Sequence, residues 1–157
     1  MANAGQATIA STLNETEIRN AQQACQSLAI EYAEIVDAQD YERLREIFAE
    51  DATLVRRATA PETVRGLENI IASFTSRPRN RLTYHILSNI RVQVETPDTA
   101  GGTCRVLLFT SDTSEPQTPE GRKVAPKQLM GTYHDRYIRT KDGWRFTERR
   151  GDILFHT

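Results

Sequence analysis

The chain has 157 residues, of which 38% are hydrophobic and 26% charged, which suits one globular domain with its own core rather than two. The formal net charge is −1 and the isoelectric point about 6.3. That balance offers no electrostatic basis for a nucleic acid or an anionic membrane as partner. Two cysteines, Cys25 and Cys104, make neither a disulfide framework nor a metal pattern. Cys25 falls on an apolar stripe, where a buried free thiol fits a reducing cytoplasm. The first residues, Met1 to Thr8, lack the basic region and apolar run of a signal peptide, and no apolar stretch is long enough to span a bilayer. A cytoplasmic protein is therefore expected.

In chain order, residues 1–13 read as a flexible polar arm, and residues 14–157 as a single domain. Asn14 followed by Glu17 is a capping box, so a helix starts there. Its apolar positions, Ile18, Ala21, Cys25, Leu28, Tyr32, Ile35 and Val36, mark one helical face to about Val36. Asp40 can cap a second, shorter helix over Gln39–Phe48, with Leu44, Ile47 and Phe48 facing in. Thr53 to Arg56 is a short strand candidate, and Pro61 and Gly66 bracket a loop. Leu67, Ile70, Ile71 and Phe74 predict a third helix that ends before Arg77-Pro78.

The period then changes from helical to strand-like. From Leu82 to Val94 the even positions are almost all apolar and the odd positions mostly polar, which predicts a long strand with its even face the better buried. Residues 96–102 are turn chemistry, and Thr103 to Ser111 returns as the partner strand. Residues 112–126 carry three prolines and a glycine and read as a long exposed loop. Leu129 to Thr140, a tight turn at Lys141-Asp142-Gly143, and Trp144 to about Arg150 form a hairpin, which Asp152 to His156 can extend. Helices first and a meander of long strands afterwards predict an α+β fold, with the helices on one face of a strongly curved, mostly antiparallel sheet. Strands this long are expected to be covered on both faces, most simply by a second subunit, so a homodimer (or trimer) is expected.

An ordered set of residues carries a resemblance to a known family. Tyr32, Asp37, Asp40, Leu44, Ile47-Phe48 and Asp51-Ala52 are followed by Gly66, Ile70 and Phe74, then by His85, Asn89-Ile90 and Val92. Gly131, Tyr133, Asp135, Tyr137, Gly143-Trp144-Arg145 and Arg149 complete the set. It resembles the SnoaL-like group of the nuclear transport factor 2-like superfamily over about residues 17–155. The resemblance implies a cone: a curved sheet wrapped around helices, with a pocket at the wide end. In pattern the chain is similar to bile-acid 7α-dehydratase, lindane dehydrochlorinase and, more distantly, scytalone dehydratase, which eliminate a small leaving group from a ring-containing substrate. The resemblance places a histidine base on His85, its aspartate partner on Asp37 and a late-strand arginine on Arg149. The separation of 48 residues between Asp37 and His85 agrees with that dyad. Tyr32 matches a pocket tyrosine of the bile-acid enzyme. The further histidine that scytalone dehydratase carries on the strand of Phe109 and Thr110 has no counterpart here.

The chemistry implied is proton abstraction by His85, with Asp37 fixing the tautomer and stabilising the imidazolium. Each residue also has an ordinary reading: His85 as a polar-face strand residue, Asp37 as a helix cap, Tyr32 as core. Strand alternation puts Trp144, Phe146, Glu148 and Arg150 on one face and Arg145, Thr147 and Arg149 on the other, so Arg150 is an alternative inward arginine; Arg149 rests on the resemblance. Phe48, Phe74, Phe109 and Tyr133 are candidate walls of an apolar substrate pocket. His134 and His156 have no ligand spacing with His85, so no metal and no cofactor are expected.

The leading expectation is a cofactor-independent lyase or isomerase, dehydratase-like, acting on a hydrophobic cyclic small molecule. Two alternatives stay open. One is a non-catalytic binding or assembly module of the same fold, such as the small subunit of ring-hydroxylating dioxygenases. The other is an isomerase or polyketide cyclase in which Asp37 is itself the base.

Overall fold

The computed structural model describes residues 13–57 and 61–157; the expectation of an arm over 1–13 therefore falls almost wholly outside the described residues. Helix α1 runs Glu15–Ala38 and opens on the expected capping box: Asn14 accepts from the Glu17 amide, and the Glu17 carboxylate accepts from the Asn14 amide. Its buried face is Ala21, Cys25, Leu28, Tyr32, Ile35 and Val36. No helix of the described residues is long and apolar enough to cross a membrane.

The end of α1 matters for the site. Gln39 takes the left-handed conformation at φ 57°, and its side-chain amide donates to the carbonyls of Arg79 and Arg81. The last turn of α1 is thereby tied to the start of a distant strand. The expected Gln39–Phe48 helix is instead a 3₁₀ turn, Tyr41–Glu46, and Asp40 makes no capping bond. With three residues per turn, Tyr41 and Leu44 both reach the core, and Phe48 begins a strand instead.

Strand β1 is Phe48–Arg57 and β2 is Pro61–Arg65, where a loop was expected. Helix α2 is Leu67–Thr75. Then come β3 (Arg81–Thr96), β4 (Thr99–Asp112), a small β5–β6 hairpin (Gln117–Thr118 and Gly121–Arg122) inside the expected loop, β7 (Leu129–Thr140) and β8 (Gly143–His156). The main sheet has the order β2-β1-β8-β7-β4-β3. The β1–β8 pair is parallel and the rest are antiparallel. The sheet is curved and unclosed and holds α1 and α2 against its inner face, the α+β fold that the sequence predicts and the cone that the resemblance implies.

Two bulges decide which side chains reach that inner face. In β3, Asn89 and Ile90 lie opposite the single residue Cys104, and Asn89 has φ 52°. A one-residue insertion reverses the alternation. Thr83, His85 and Leu87 therefore point inward before the bulge, and Val92 and Val94 after it. The even face expected to be the better buried is, in the first half of β3, the outer one: Tyr84 is 66% exposed and Ile86 46%. In β8, Thr147 is the extra residue opposite the Arg136–Tyr137 step of β7. Trp144 and Phe146 face the core on one side of it and Arg149 on the other, all buried. Strict alternation had set Arg149 against them; the bulge brings Arg149 in and leaves Arg150 on the outside.

The core centres on Phe146, whose ring lies 5.1 Å from that of Phe48 and 5.0 Å from that of Tyr137. Both cysteines are buried and unpaired. Burial pushes their thiols up, to about 12 for Cys25 and about 11 for Cys104, so neither is a ready nucleophile.

Candidate active site

Asp37 occupies the last turn of α1, where an acid faces the negative end of the helix dipole. Three donors from β3 compensate. The Thr83 hydroxyl donates to Oδ1 at 2.7 Å, the His85 backbone amide to Oδ2 at 2.7 Å, and the His85 ring meets Oδ1 through Nδ1 at 2.6 Å. Burial raises the Asp37 carboxyl pKa, but the hydrogen bonds and charge of His85 and the Thr83 bond outweigh it, and the net direction is down. Asp37 is thus a carboxylate. Carboxylate oxygens only accept, so Nδ1 carries a hydrogen, and in the neutral ring the lone pair is then on Nε2. Nε2 has no hydrogen-bond partner among the described residues.

The His85 side chain is 5% exposed and that of Asp37 19%. His85 lines a cavity of about 460 Å³ between α1, α2 and the inner face of the sheet. Tyr32, Thr83, Leu108, Leu129, Tyr133 and Ile153 are among its walls, and Ser73, Arg56, Arg77 and Arg81 add polar groups. Tyr32 and Asp37 are five residues apart, about 140° on a helix, yet the helix need not bend to unite them. Tyr32 faces the cavity directly, whereas Asp37 reaches it through His85.

Arg149 takes a different place from the one the resemblance implies. It is fully buried, and its Nε and Nη2 meet Asp135 at 2.9 and 3.1 Å. The Tyr137 hydroxyl donates to the same carboxylate at 3.2 Å. The guanidinium lies 4.3 Å from the Tyr32 ring centre, 4.2 Å from Tyr133 and 4.7 Å from Phe146. Burial lowers an arginine pKa, but the Asp135 charge together with smaller contributions from Cys104, Tyr133 and Tyr32 outweighs it, and Arg149 stays cationic. It does not line the cavity: it sits behind Tyr32 and Tyr133, which do, with its guanidinium against both rings.

Of the four expected pocket walls, Tyr133 lines the cavity and the other three do not. Phe48 and Phe74 are 2% and 0% exposed and belong to the core. Phe109 pairs with the outward Tyr84 across β3–β4 and lines a separate depression on the outer face. The sequence reading missed Thr83, Asp135 and the three arginines. Thr83 and His85 share one face of a strand, a signal available from alternation. The arginines lie on β1, after α2 and at the start of β3, and nothing in one sequence joins them.

Residues 17–150 match the family model of the SnoaL-like domain. The chain belongs to that family. Among solved structures, the SnoaL-like chain is similar to a type-2 hexachlorocyclohexane dehydrochlorinase (LinA), at 20% identity and TM-score 0.75 over 92% of this chain and 92% of that one. It is similar to the LinA-type3 enzyme of Novosphingobium barchaimii, at 21% identity and TM-score 0.73 over 92% and 93%. A scytalone dehydratase-like protein from Novosphingobium aromaticivorans follows it over 86% of this chain and 85% of that one, at 21% identity and TM-score 0.68. At these identities the likeness establishes the fold. No curated protein sequence matches the chain.

Proposed function

We propose that this SnoaL-like protein is a cofactor-independent lyase of the dehydratase type, in which His85 removes a proton from a hydrophobic cyclic substrate. The observation that carries the reading is the Asp37–His85 pair at 2.6 Å, with Nε2 unpartnered at the wall of a cavity large enough for a ring-sized molecule. Nε2 takes a proton from carbon next to an electron-withdrawing group. The electron pair of that C–H bond becomes the new double bond, and the leaving hydroxide departs as water by taking the proton back from the His85 imidazolium, which restores the neutral base. Asp37 stabilises the imidazolium formed, an effect of the size of general base catalysis, roughly 10²–10⁴-fold. The tyrosine hydroxyls of Tyr32 and Tyr133 are the groups placed to bond the substrate's oxygens. The names of the structural relatives, a dehydrochlorinase and a dehydratase-like protein, support an elimination.

The test begins without a substrate. In ¹⁵N NMR of the imidazoles, neutral His85 is expected as the Nδ1–H tautomer in the wild type and as the Nε2–H tautomer in Asp37→Asn. A wild-type Nε2–H tautomer would remove the base and with it the reading. Given the expected tautomer, cyclic β-hydroxyketones are the first compounds to screen, followed by the ultraviolet absorbance of the enone product.

The proposal includes a homodimer (or trimer) assembled through the outer face of the sheet. Tyr84, Ile86, Leu154 and Phe155 are between 46% and 67% exposed there, a concentration of apolar surface unusual for a monomer. Sedimentation equilibrium is expected to show an oligomer for the wild type and monomer for Tyr84→Glu/Phe155→Glu. A monomeric wild type refutes this part alone.

A further inference from the structure

The cavity that holds the dyad has a second polar region that the elimination does not use. Arg56, Arg77 and Arg81 all line it, against one carboxylate among the described residues, Glu62. Arg56 is accounted for: it donates to the Ser73 hydroxyl at 2.8 Å and lies 3.5 Å from Glu62. Arg77 is half-buried, and its guanidinium sits 4.2 Å from the centre of the Phe74 ring, which Arg56 also covers at 4.7 Å. Neither Arg77 nor Arg81 has a side-chain hydrogen bond or ion pair among the described residues. Partial burial, followed by the nearby charges of Arg56 and Arg81, holds the Arg77 pKa below the usual arginine value. Half-buried Arg77 thus feels the charge of Arg56 and, more weakly, that of exposed Arg81 across the same cavity, and an anion placed between Arg77 and Arg81 relieves that repulsion.

We infer that Arg77 and Arg81 form a seat for a carboxylate, so that the substrate is an acidic ring compound held at one end by these arginines and presented to His85 at the other. The inference rests on the proposed dyad for the reacting end and is independent of it for the anionic end. A guanidinium offers paired donors that match the two oxygens of a carboxylate, and the apolar walls Val36, Leu54, Leu108 and Ile153 suit the ring between the two ends. The carboxylate is a handle and does not activate the proton to be removed. A negative charge next to the reacting carbon would oppose the build-up of further negative charge there.

Isothermal titration calorimetry with two probes tests this. Cyclohexanecarboxylate is expected to bind the wild type at least tenfold more tightly than cyclohexanecarboxamide, which has the same shape and no charge; bonds to charged groups support about tenfold to hundredfold. The preference should vanish in Arg77→Gln and fall about threefold in Arg81→Gln. The second variant, at an exposed position, keeps the test decisive if the first destabilises the chain. His85→Gln should keep the preference, which separates the seat from the dyad. Equal binding of the two probes overturns the seat and leaves the dyad to its own NMR test. Loss of the preference in His85→Gln rather than in Arg77→Gln assigns the charge recognition to the imidazolium and also overturns it. Inorganic phosphate competing as well as the carboxylate would overturn the assignment of carboxylate as the ligand.

Discussion

Asp135→Asn is expected to destabilise the protein by about 3–5 kcal/mol, a large part of the roughly 5–15 kcal/mol that holds a domain of this size. Three donors converge on the carboxylate: Nε and Nη2 of Arg149 and the Tyr137 hydroxyl. An amide offers one oxygen to those three and turns its own N–H groups toward a guanidinium that cannot accept. The larger loss is the neutralisation: the side chains of Arg149 and Asp135 are 0% and 1% exposed, so the variant leaves a buried cation with three aromatic rings and no counter-charge. Urea denaturation measures the loss. The double variant Asp135→Leu/Arg149→Met is expected to recover most of it, since buried pairs are often replaced by apolar groups at little cost. A single-variant loss below about 1 kcal/mol would mean that the guanidinium finds another partner. The same pair holds Tyr32 and Tyr133 at the cavity, so the double variant should be stable yet altered in ligand binding.

The positions of the helices were legible because their signals are local. Asn14 and Glu17 announce the start of α1, and Leu67, Ile70, Ile71 and Phe74 trace α2. What the sequence hid was the consequence of single inserted residues. Alternation across Leu82–Val94 looks unbroken because Ile90 is as apolar as the positions on either side of the bulge. The outward Tyr84 and Ile86 then read as core, although they cover the outer face. At Thr147 the same event sets Arg149 beside Phe146. In neither strand does composition reveal the bulge; it appears only once the partner strand fixes the register. The Asp40 cap failed for another reason: the left-handed Gln39, held by Arg79 and Arg81, sends the chain into a 3₁₀ turn before a capped α-helix can start.

The Asp37–His85 pairing was legible through the resemblance, and the two side chains meet at 2.6 Å; the place of Arg149 was not, because a buried arginine and a pocket arginine look alike in sequence. The difference lies in Asp135, two residues from Tyr133 along β7, whose carboxylate claims the guanidinium. The apolar walls were misjudged for a similar reason. Phe48 and Phe74 have the right chemistry for a pocket and fill the core instead, where Tyr32 meets both edge-on at about 6 Å. The arginines that replace them as the cavity's distinctive feature come from three separate elements.

His85→Gln and Asp37→Asn are each expected to lower the rate of elimination by about 10²–10⁴-fold, with the double variant little worse than either. The equality follows from the hydrogen-bond pattern. The backbone amide of His85 can only donate, so in Asp37→Asn the amide oxygen must take the place of Oδ2. The NH₂ group then takes the place of Oδ1, between Thr83 and the imidazole. The Thr83 hydroxyl can turn to accept, and Nδ1 must accept as well, which moves the ring hydrogen to Nε2 and removes the base without moving the ring. Stability carries a matching signature. The Asp37 carboxyl pKa lies below its ordinary 3.8 in the folded protein, so its contribution is present above that value and is lost as pH falls through the lower folded value. The wild type should therefore lose this increment of stability on acidification below about pH 4, and Asp37→Asn should not. If Asp37→Asn instead keeps most of its activity while His85→Gln loses it, the aspartate is not setting the tautomer. If His85→Gln is active and Asp37→Asn is dead, Asp37 is the base, and the protein is an isomerase or cyclase rather than a histidine-driven dehydratase.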